Sequence, residues 1–257
     1  MNIFKNLYNY RELLKTNVKK EIRGRYKKSF LGVLWSFLNP LLMVAVYAVV
    51  FPIILKTQQP HYVVFLIVAL IPWTFFTTIV SQGATTIVVN GPILKKVYFP
   101  REILPISVVT SGLVNFLIST VIIIIFLLGY GMGITKYIVF YPIIVVAQYF
   151  LLLGITFILS SITVYFRDIE HFIGVVLQLL FYATPIVYSM DTFPEKFKTI
   201  LYCNPMTPII NSYRDIFYYQ RKPELNNLIL IFGVGIGLCL IGYLIFNRLQ
   251  RKFAEEL

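Results

Sequence analysis

The sequence predicts an all-α membrane protein with six transmembrane helices. Three observations carry this. Hydrophobic residues make up 58% of the 257-residue chain and charged ones 13%, about half the charged share of soluble domains. Six apolar stretches, 31–55, 62–89, 103–128, 138–164, 172–190 and 228–246, contain no Asp, Glu, Lys, Arg or His. Each has at least 19 residues, and as a helix that length rises about 28 Å, the thickness of a bilayer's hydrocarbon core. Residues 1–257 then read as one membrane domain. It comprises an interface helix over 3–28, a six-span bundle over 31–246 and a cytoplasmic tail over 247–257.

The first element precedes any span. Phe4, Leu7, Leu14, Val18 and Ile22 fall on one helical face, and Lys5, Glu12, Lys19 and Arg23 on the other. This is a basic amphipathic helix for the membrane interface, with Arg11, Lys15 and Lys19 toward headgroups or a partner. Arg11 intrudes on the apolar stripe and would snorkel. A plain charge anchor and a docking site both fit this pattern.

Six spans place both termini on one side. That side collects Lys5, Arg11, Lys15, Lys19, Lys20, Arg23, Arg25, Lys27, Lys28, Lys95, Lys96, Arg101, Arg167, Arg248, Arg251 and Lys252. The other side holds Lys56, Lys136, Lys196, Lys198, Arg214, Arg221 and Lys222. The richer side faces the cytoplasm, so both termini are cytoplasmic. The net charge of +12 is therefore a topology signal, and no nucleic-acid partner is expected.

The cytoplasmic loop after the second span is bracketed by Pro92, suited to a helix start, and Pro100, suited to a stop. Between them lie Lys95, Lys96, Val97, Tyr98 and Phe99, followed by Arg101. Exposed aromatic and basic side chains on a short helix suit a contact surface better than a bare turn. The turn Arg167-Asp168 at the next cytoplasmic edge reads as ordinary solvated charge.

Polar positions inside the spans are neutral and recur every four residues. Span 1 carries Trp35, Asn39, Met43 and Tyr47. Span 2 carries Trp73, Thr77 and Ser81. Span 5 carries Gln178 and Tyr182, followed by Pro185. Such faces turn toward helix contacts or toward a polar path, and rings beside hydrogen-bonding groups suit sugars. Gly233, Gly235, Gly237 and Gly242 in span 6 suit close helix packing.

Residues 191–227 between spans 5 and 6 are too polar to span and too aromatic for plain linker. Thr192 to Glu195 reads as a capping box opening a short helix with Phe193, Phe197, Ile200 and Leu201 on one side. A second short helix over 208–219 aligns Ile209, Tyr213, Ile216 and Phe217. An outer-surface cap and a pair of re-entrant gate helices both fit this length.

Several chemistries are missing. Charge-free spans exclude proton relays and ion-coupled transport, which need ionisable groups in the membrane. There is no HExxH or GxSxG, and Cys203 and Cys239 form neither a disulfide nor a metal cluster with His61 or His171. With no Gly-Lys dipeptide a P-loop is impossible, so any ATP would bind a separate subunit.

Four blocks carry a family resemblance: residues 23–41 (RGRYKKSFLGVLWSFLNPL), 94–105 (LKKVYFPREILP), 165–169 (YFRDI) and 204–208 (NPMTP). The chain resembles, over essentially its whole length, the ABC-2 type permeases that export polysaccharides. Among these it is most similar to membrane subunits of O-antigen lipopolysaccharide and wall teichoic acid exporters. The resemblance implies a multi-pass protein of the bacterial cytoplasmic membrane. It implies a homodimer with two copies of a cytoplasmic ATP-binding subunit, ATP and Mg on that subunit, and a lipid-linked polysaccharide as cargo.

By the same resemblance, the N-terminal helix and the loop 95–99 match docking elements, and Leu31-Gly32 matches a turn at the cytoplasmic mouth. The segment 191–219, with Phe193, Phe197, Tyr213 and Phe217, matches an outer gate. Trp35, Asn39, Tyr47, Trp73, Gln178 and Tyr182 are candidates for the path. The alternatives are an ABC-2 exporter of another lipid or drug-like substrate and a membrane-embedded glycosyl- or acyltransferase. A passive pore is disfavoured by the partner-facing loop.

Overall fold

Helices account for every regular element among the described residues. The computed structural model describes residues 3–26, 30–55, 59–190 and 194–257. In chain order the helices are α1 (Ile3–Asn9), α2 (Arg11–Tyr26), α3 (Trp35–Leu55), α4 (Tyr62–Val89), α5 (Gly91–Leu94), α6 (Ile103–Gly129), α7 (Tyr141–Tyr165), α8 (Ile169–Tyr182), α9 (Glu195–Tyr202), α10 (Met206–Phe217), α11 (Leu225–Leu249) and α12 (Phe253–Glu256). Five of them, α3, α4, α6, α7 and α11, are long and apolar enough to cross a membrane.

The stretch 172–190 differs from expectation. Its helix, α8, has 14 residues and stops at Tyr182, a rise of about 21 Å. Residues 183–190 continue as irregular chain. Pro185 has no N–H to donate and disfavours helical backbone at the residue before it. The apolar stretch is thus one helix plus an unwound segment, tolerable at membrane depth only where protein satisfies its carbonyls.

Helix α4 is the axis of the bundle. It touches α3, α6, α7, α8 and α10, and Val64 to Ile71 are all at most 2% exposed. Hydroxyl pairs tie α6 to α7: Thr110 with Tyr149 at 3.0 Å and Thr120 with Tyr141 at 2.7 Å. Helix α3 is attached on one side only, and its outer apolar residues, such as Val46, Val49 and Ile53, are exposed as lipid-facing residues are.

The bundle has two differently built ends. The near end gathers α1, α2, the α4–α6 connection, the last turns of α7 and α11, and α12. There α2 lies against α6. Asn6 donates to Glu102 at 2.9 Å, and the Tyr165 hydroxyl donates to the Leu249 carbonyl at 3.0 Å. The far end gathers the start of α4, the residues after α6, the unwound segment and α10. There the Tyr62 hydroxyl donates to the Val187 carbonyl at 2.7 Å, Tyr218 to Pro60 at 2.5 Å, and Gln220 to Met132 at 2.6 Å.

The closest helix contact is the α7–α11 seam. A Cβ added at Gly154 would stand 2.7 Å from the Leu238 carbonyl oxygen, and one at Gly242 would stand 2.5 Å from that of Gly154. Both obstacles are backbone, which cannot swing aside. Gly235 sits on the same face, whereas Gly233 and Gly237 meet nothing within 4 Å. Glycine spacing alone did not separate the two pairs. Gly154→Ala and Gly242→Ala should each destabilise the bundle by about 1–3 kcal/mol and lower its thermal unfolding midpoint in detergent. Gly237→Ala should leave that midpoint unchanged or slightly raised.

Candidate functional site

The near end presents the loop that the sequence marks for contact. Asn90 closes α4, its amide donating to the Thr86 carbonyl at 2.8 Å, and Pro92 opens α5. The helix ends at Leu94 rather than continuing toward Pro100. Lys95, Lys96, Val97 and Tyr98 are exposed, Tyr98 by 87%, whereas Phe99 is 7% exposed. The expected pair of displayed rings is therefore one displayed ring, Tyr98, and one anchor, Phe99, seated in the core. Arg101 is also an anchor: its guanidinium donates to the Gln250 carbonyl and lies 5.8 Å from the Phe253 ring.

The expected single helix over 3–28 is two helices, α1 and α2, divided at Tyr10 and fastened beside this loop. Besides the Asn6–Glu102 bond, Lys20 donates to the Asn90 side chain at 3.3 Å. Arg11 folds over the Tyr8 ring at 4.7 Å, Lys15 pairs with Glu12 at 2.8 Å, and Lys19 is exposed. The bond from Lys15 holds the Glu12 carboxyl below the usual carboxylate range. The Leu31-Gly32 turn leads into α3. Gly32 has φ +51°, a left-handed backbone that L residues adopt at a cost and glycine adopts freely.

The candidate path residues fall into two groups. Trp35 and Asn39 line a cavity of about 200 Å³ between α3, α4 and α6. Its other walls include Thr74, Thr78, Gln82, Asn115 and Ser119, which the sequence reading missed. Their signal was there: Thr74, Thr78 and Gln82 recur every four residues on α4, one residue round from the stripe that was read.

The second group surrounds Phe181. Its ring lies 5.6 Å from Tyr47, 6.0 Å from Trp73 and 5.3 Å from Tyr182. Trp73 is only 5% exposed, so it is a core ring and lines no open surface. Gln178 is exposed on α8 and joins neither group.

At the far end α10 is embedded. Ile209 and Tyr213 are fully buried, and Ile216 and Phe217 nearly so. The Tyr213 hydroxyl donates to the Gln148 side chain at 3.0 Å, and Gln148 donates to the Pro72 carbonyl at 3.0 Å. This polar bolt joins α10, α7 and α4. Of the other candidates here, Phe193 and Thr192 lie outside the described residues, as does the Phe197 side chain. Ile200 on α9 is 66% exposed, so that helix does not bury the whole side expected of it.

Arg214, counted in the sequence only among the charges of the other side, is 2% exposed. Its guanidinium donates to the carbonyls of Pro185 and Ile186, the latter at 2.6 Å, and to that of Tyr188 at 3.3 Å. The same group lies 3.5 Å from the Phe65 ring centroid, a cation–π contact strengthened by desolvation. An arginine side chain stays protonated at neutral pH, so the buried group is a cation. The acceptors it serves are those left open where α8 unwinds.

Neighbouring side chains complete the clamp. Asn204 donates to the Thr184 hydroxyl at 2.7 Å and accepts from the Met206 N–H at 3.0 Å. Thr207 donates to the Leu201 carbonyl at 2.7 Å. The block Asn204-Pro205-Met206-Thr207-Pro208 thus knits α9, α10 and the unwound segment together. Asp215 accepts from Arg221 at 2.6 Å. Burial raises the Asp215 carboxyl against the pull of Arg221, and that bond raises Arg221.

The chain belongs to the ABC-2 type transporter family, which it matches over residues 12–218. It is 36% identical, over the whole of both chains, to the O-antigen export system permease protein RfbA of Myxococcus xanthus. It is 36% identical to a protein of the same name from Klebsiella pneumoniae, over 96% of this chain and 95% of that one. The polysialic acid transport protein KpsM of Escherichia coli is more distant, 24% identical over 86% of this chain and 89% of its own. Five crossing-length apolar helices and this membership make the chain a multi-pass protein of the bacterial inner membrane.

Arg214→Ala should strip three carbonyls, those of Pro185, Ile186 and Tyr188, of their donor. The expected loss is about 3 kcal/mol or more, seen as a lowered unfolding midpoint and faster proteolysis near residue 190. Arg214→Lys should recover only part of it, because an ammonium lacks the planar fork.

Proposed function

We propose that this chain is the permease subunit of an ATP-driven exporter that moves a lipid-linked polysaccharide across the cytoplasmic membrane. The observation that carries the reading is full-length similarity to O-antigen export permeases, joined to a structure with a partner-ready near end and a clamped far end. Either an O-antigen or a teichoic acid type of cargo fits. The chain acts as a homodimer beside two copies of an ATP-binding subunit, which holds ATP and Mg.

The near end is cytoplasmic and both termini lie there. The balance of Lys and Arg supports this orientation. The sixth crossing is made by α8 together with residues 183–190. In support, α8 starts beside the near-end turn of α7, and Val187 reaches Tyr62 at the far end. Helices α9 and α10 dip back from the outer face as a gate, with Tyr213 and Phe217 as its buried rings.

In this reading Lys95, Lys96, Val97 and Tyr98 contact the ATP-binding subunit, with Phe99 and Arg101 holding them in place. Arg11, Lys15 and Lys19 meet headgroups. Polar, uncharged walls around Trp35 and Asn39 suit sugar hydroxyls, while the outer apolar face of α3 suits the lipid part.

Three measurements test this. Tyr98→Ala should cut surface polysaccharide at least tenfold and leave lipid-linked polymer inside the cell, with membrane insertion unchanged. Normal surface display would reject the docking role. The purified chain alone should hydrolyse no ATP, and turnover without the partner would reject the division of labour. A membrane-impermeant thiol reagent applied from outside should reach Cys203, which is exposed, more readily than Cys239. Labelling of Cys203 only from the cytoplasm would overturn the orientation.

A further inference from the structure

We propose that the partner's docking surface is composite. The loop 95–99 forms one half, and the helical turns after α11 form the other. The partner face that meets it is acidic. This rests on the reading of the loop as the dock.

The two segments are built as one unit. Arg101 donates to the Gln250 carbonyl and lies against Phe253, as described above. Phe253 is fully buried, 5.6 Å from Phe246 and 6.4 Å from Tyr165. Leu257 returns to the start of the loop, where a Cβ at Gly91 would stand 3.4 Å from its Cδ2. The tail is thus folded against the α4–α6 connection along its length. A mere membrane anchor has no need of a fully buried phenylalanine and a guanidinium bonded to its backbone.

Between the two halves lies a groove of about 390 Å³. Tyr98, Phe99, Pro100 and Arg101 wall one side, and Asn247, Gln250 and Arg251 the other. Neither half makes this concavity alone. On the two segments that wall it, Lys95, Lys96, Arg248, Arg251 and Lys252 are exposed, against the exposed Glu255 and Glu256. The rim is therefore net positive, with Tyr98 standing beside the groove. A projecting ring at a concavity within a charged rim is the arrangement of an interface hot spot, and the charge steers a complementary partner. Anionic lipid headgroups would answer the same charge, but they offer no shaped element to fill a groove.

The test uses the full chain co-expressed with its ATP-binding subunit and purified in an uncharged detergent. The apparent affinity of the pair is measured at low and high salt for Tyr98→Ala, for Arg251→Glu with Lys252→Glu, and for Arg251→Gln. The double reversal should weaken the pair about tenfold or more at low salt. High salt should shrink that difference, because exposed charges are screened. Arg251→Gln should show a smaller loss in the same direction, and it serves where the double reversal fails to fold.

Weakening by Tyr98→Ala with no effect of either tail variant would overturn the composite surface and leave the docking loop standing. No effect of any variant would overturn the docking reading as well. A tail effect confined to vesicles with anionic lipid, and absent in detergent, would assign the surface to the membrane and overturn the proposal.

Discussion

One buried cation makes the far end of this molecule possible. An apolar stretch that stops being helical inside a membrane leaves carbonyls with no water to bond, at several kcal/mol each. Here the open carbonyls converge on the Arg214 guanidinium, whose planar fork reaches Pro185, Ile186 and Tyr188 at once. The Phe65 ring takes the place of a counter-ion. The burial of α10 follows, because its arginine cannot reach those acceptors unless the helix sits within the bundle. Tyr213, Gln148 and Pro72 then fix the depth of that helix.

The near end solves a different problem with different parts. It displays charge and one ring, Tyr98, on a base that is held still. Phe99 and Arg101 keep that base still from beneath, and Asn6, through Glu102, does so from the side. The displayed residues cost the fold little because none of them is needed for its packing. Anchoring and display fall to neighbouring positions of one short loop, Phe99 buried and Tyr98 exposed. Tyr98 and Phe99 differ because only Phe99 is packed into the core.

Much of this architecture was legible in the chain because a bilayer leaves few solutions. Long uncharged runs have to be helices, so α3, α4, α6, α7 and α11 follow from composition and length. The amphipathic N-terminal helix and the two short helices near residues 195 and 206 follow from spacing. The break in α8 was harder to read. Pro40, Pro52 and Pro72 sit inside intact helices, so a proline does not by itself announce where a helix ends. The decisive partner of Pro185 is Arg214, 29 positions away, and no local pattern joins them. Trp73 was misplaced for a related reason: a ring on a polar stripe faces an opening only if no other ring covers it, and Phe181 covers this one. The cavity wall Gln82 shares the four-residue period of Thr74 and Thr78, one position round from Trp73, Thr77 and Ser81, whereas Asn115 on α6 has no such companions.

The α7–α11 seam has a consequence for how shape changes in this protein should be followed. Two helices whose backbones touch through Gly154 and Gly242 have no side-chain layer to slide on, so they form a single beam. Helix α3 has one packed flank and one free flank, and α8 ends in irregular chain held by the buried Ile186 and Val187 and by hydrogen bonds to Arg214. The beam is therefore the natural fixed reference. Pairs of spectroscopic labels with one member on α11 and the other on α3 or α8 would read displacement directly. Pairs placed wholly along the seam would serve as the internal ruler.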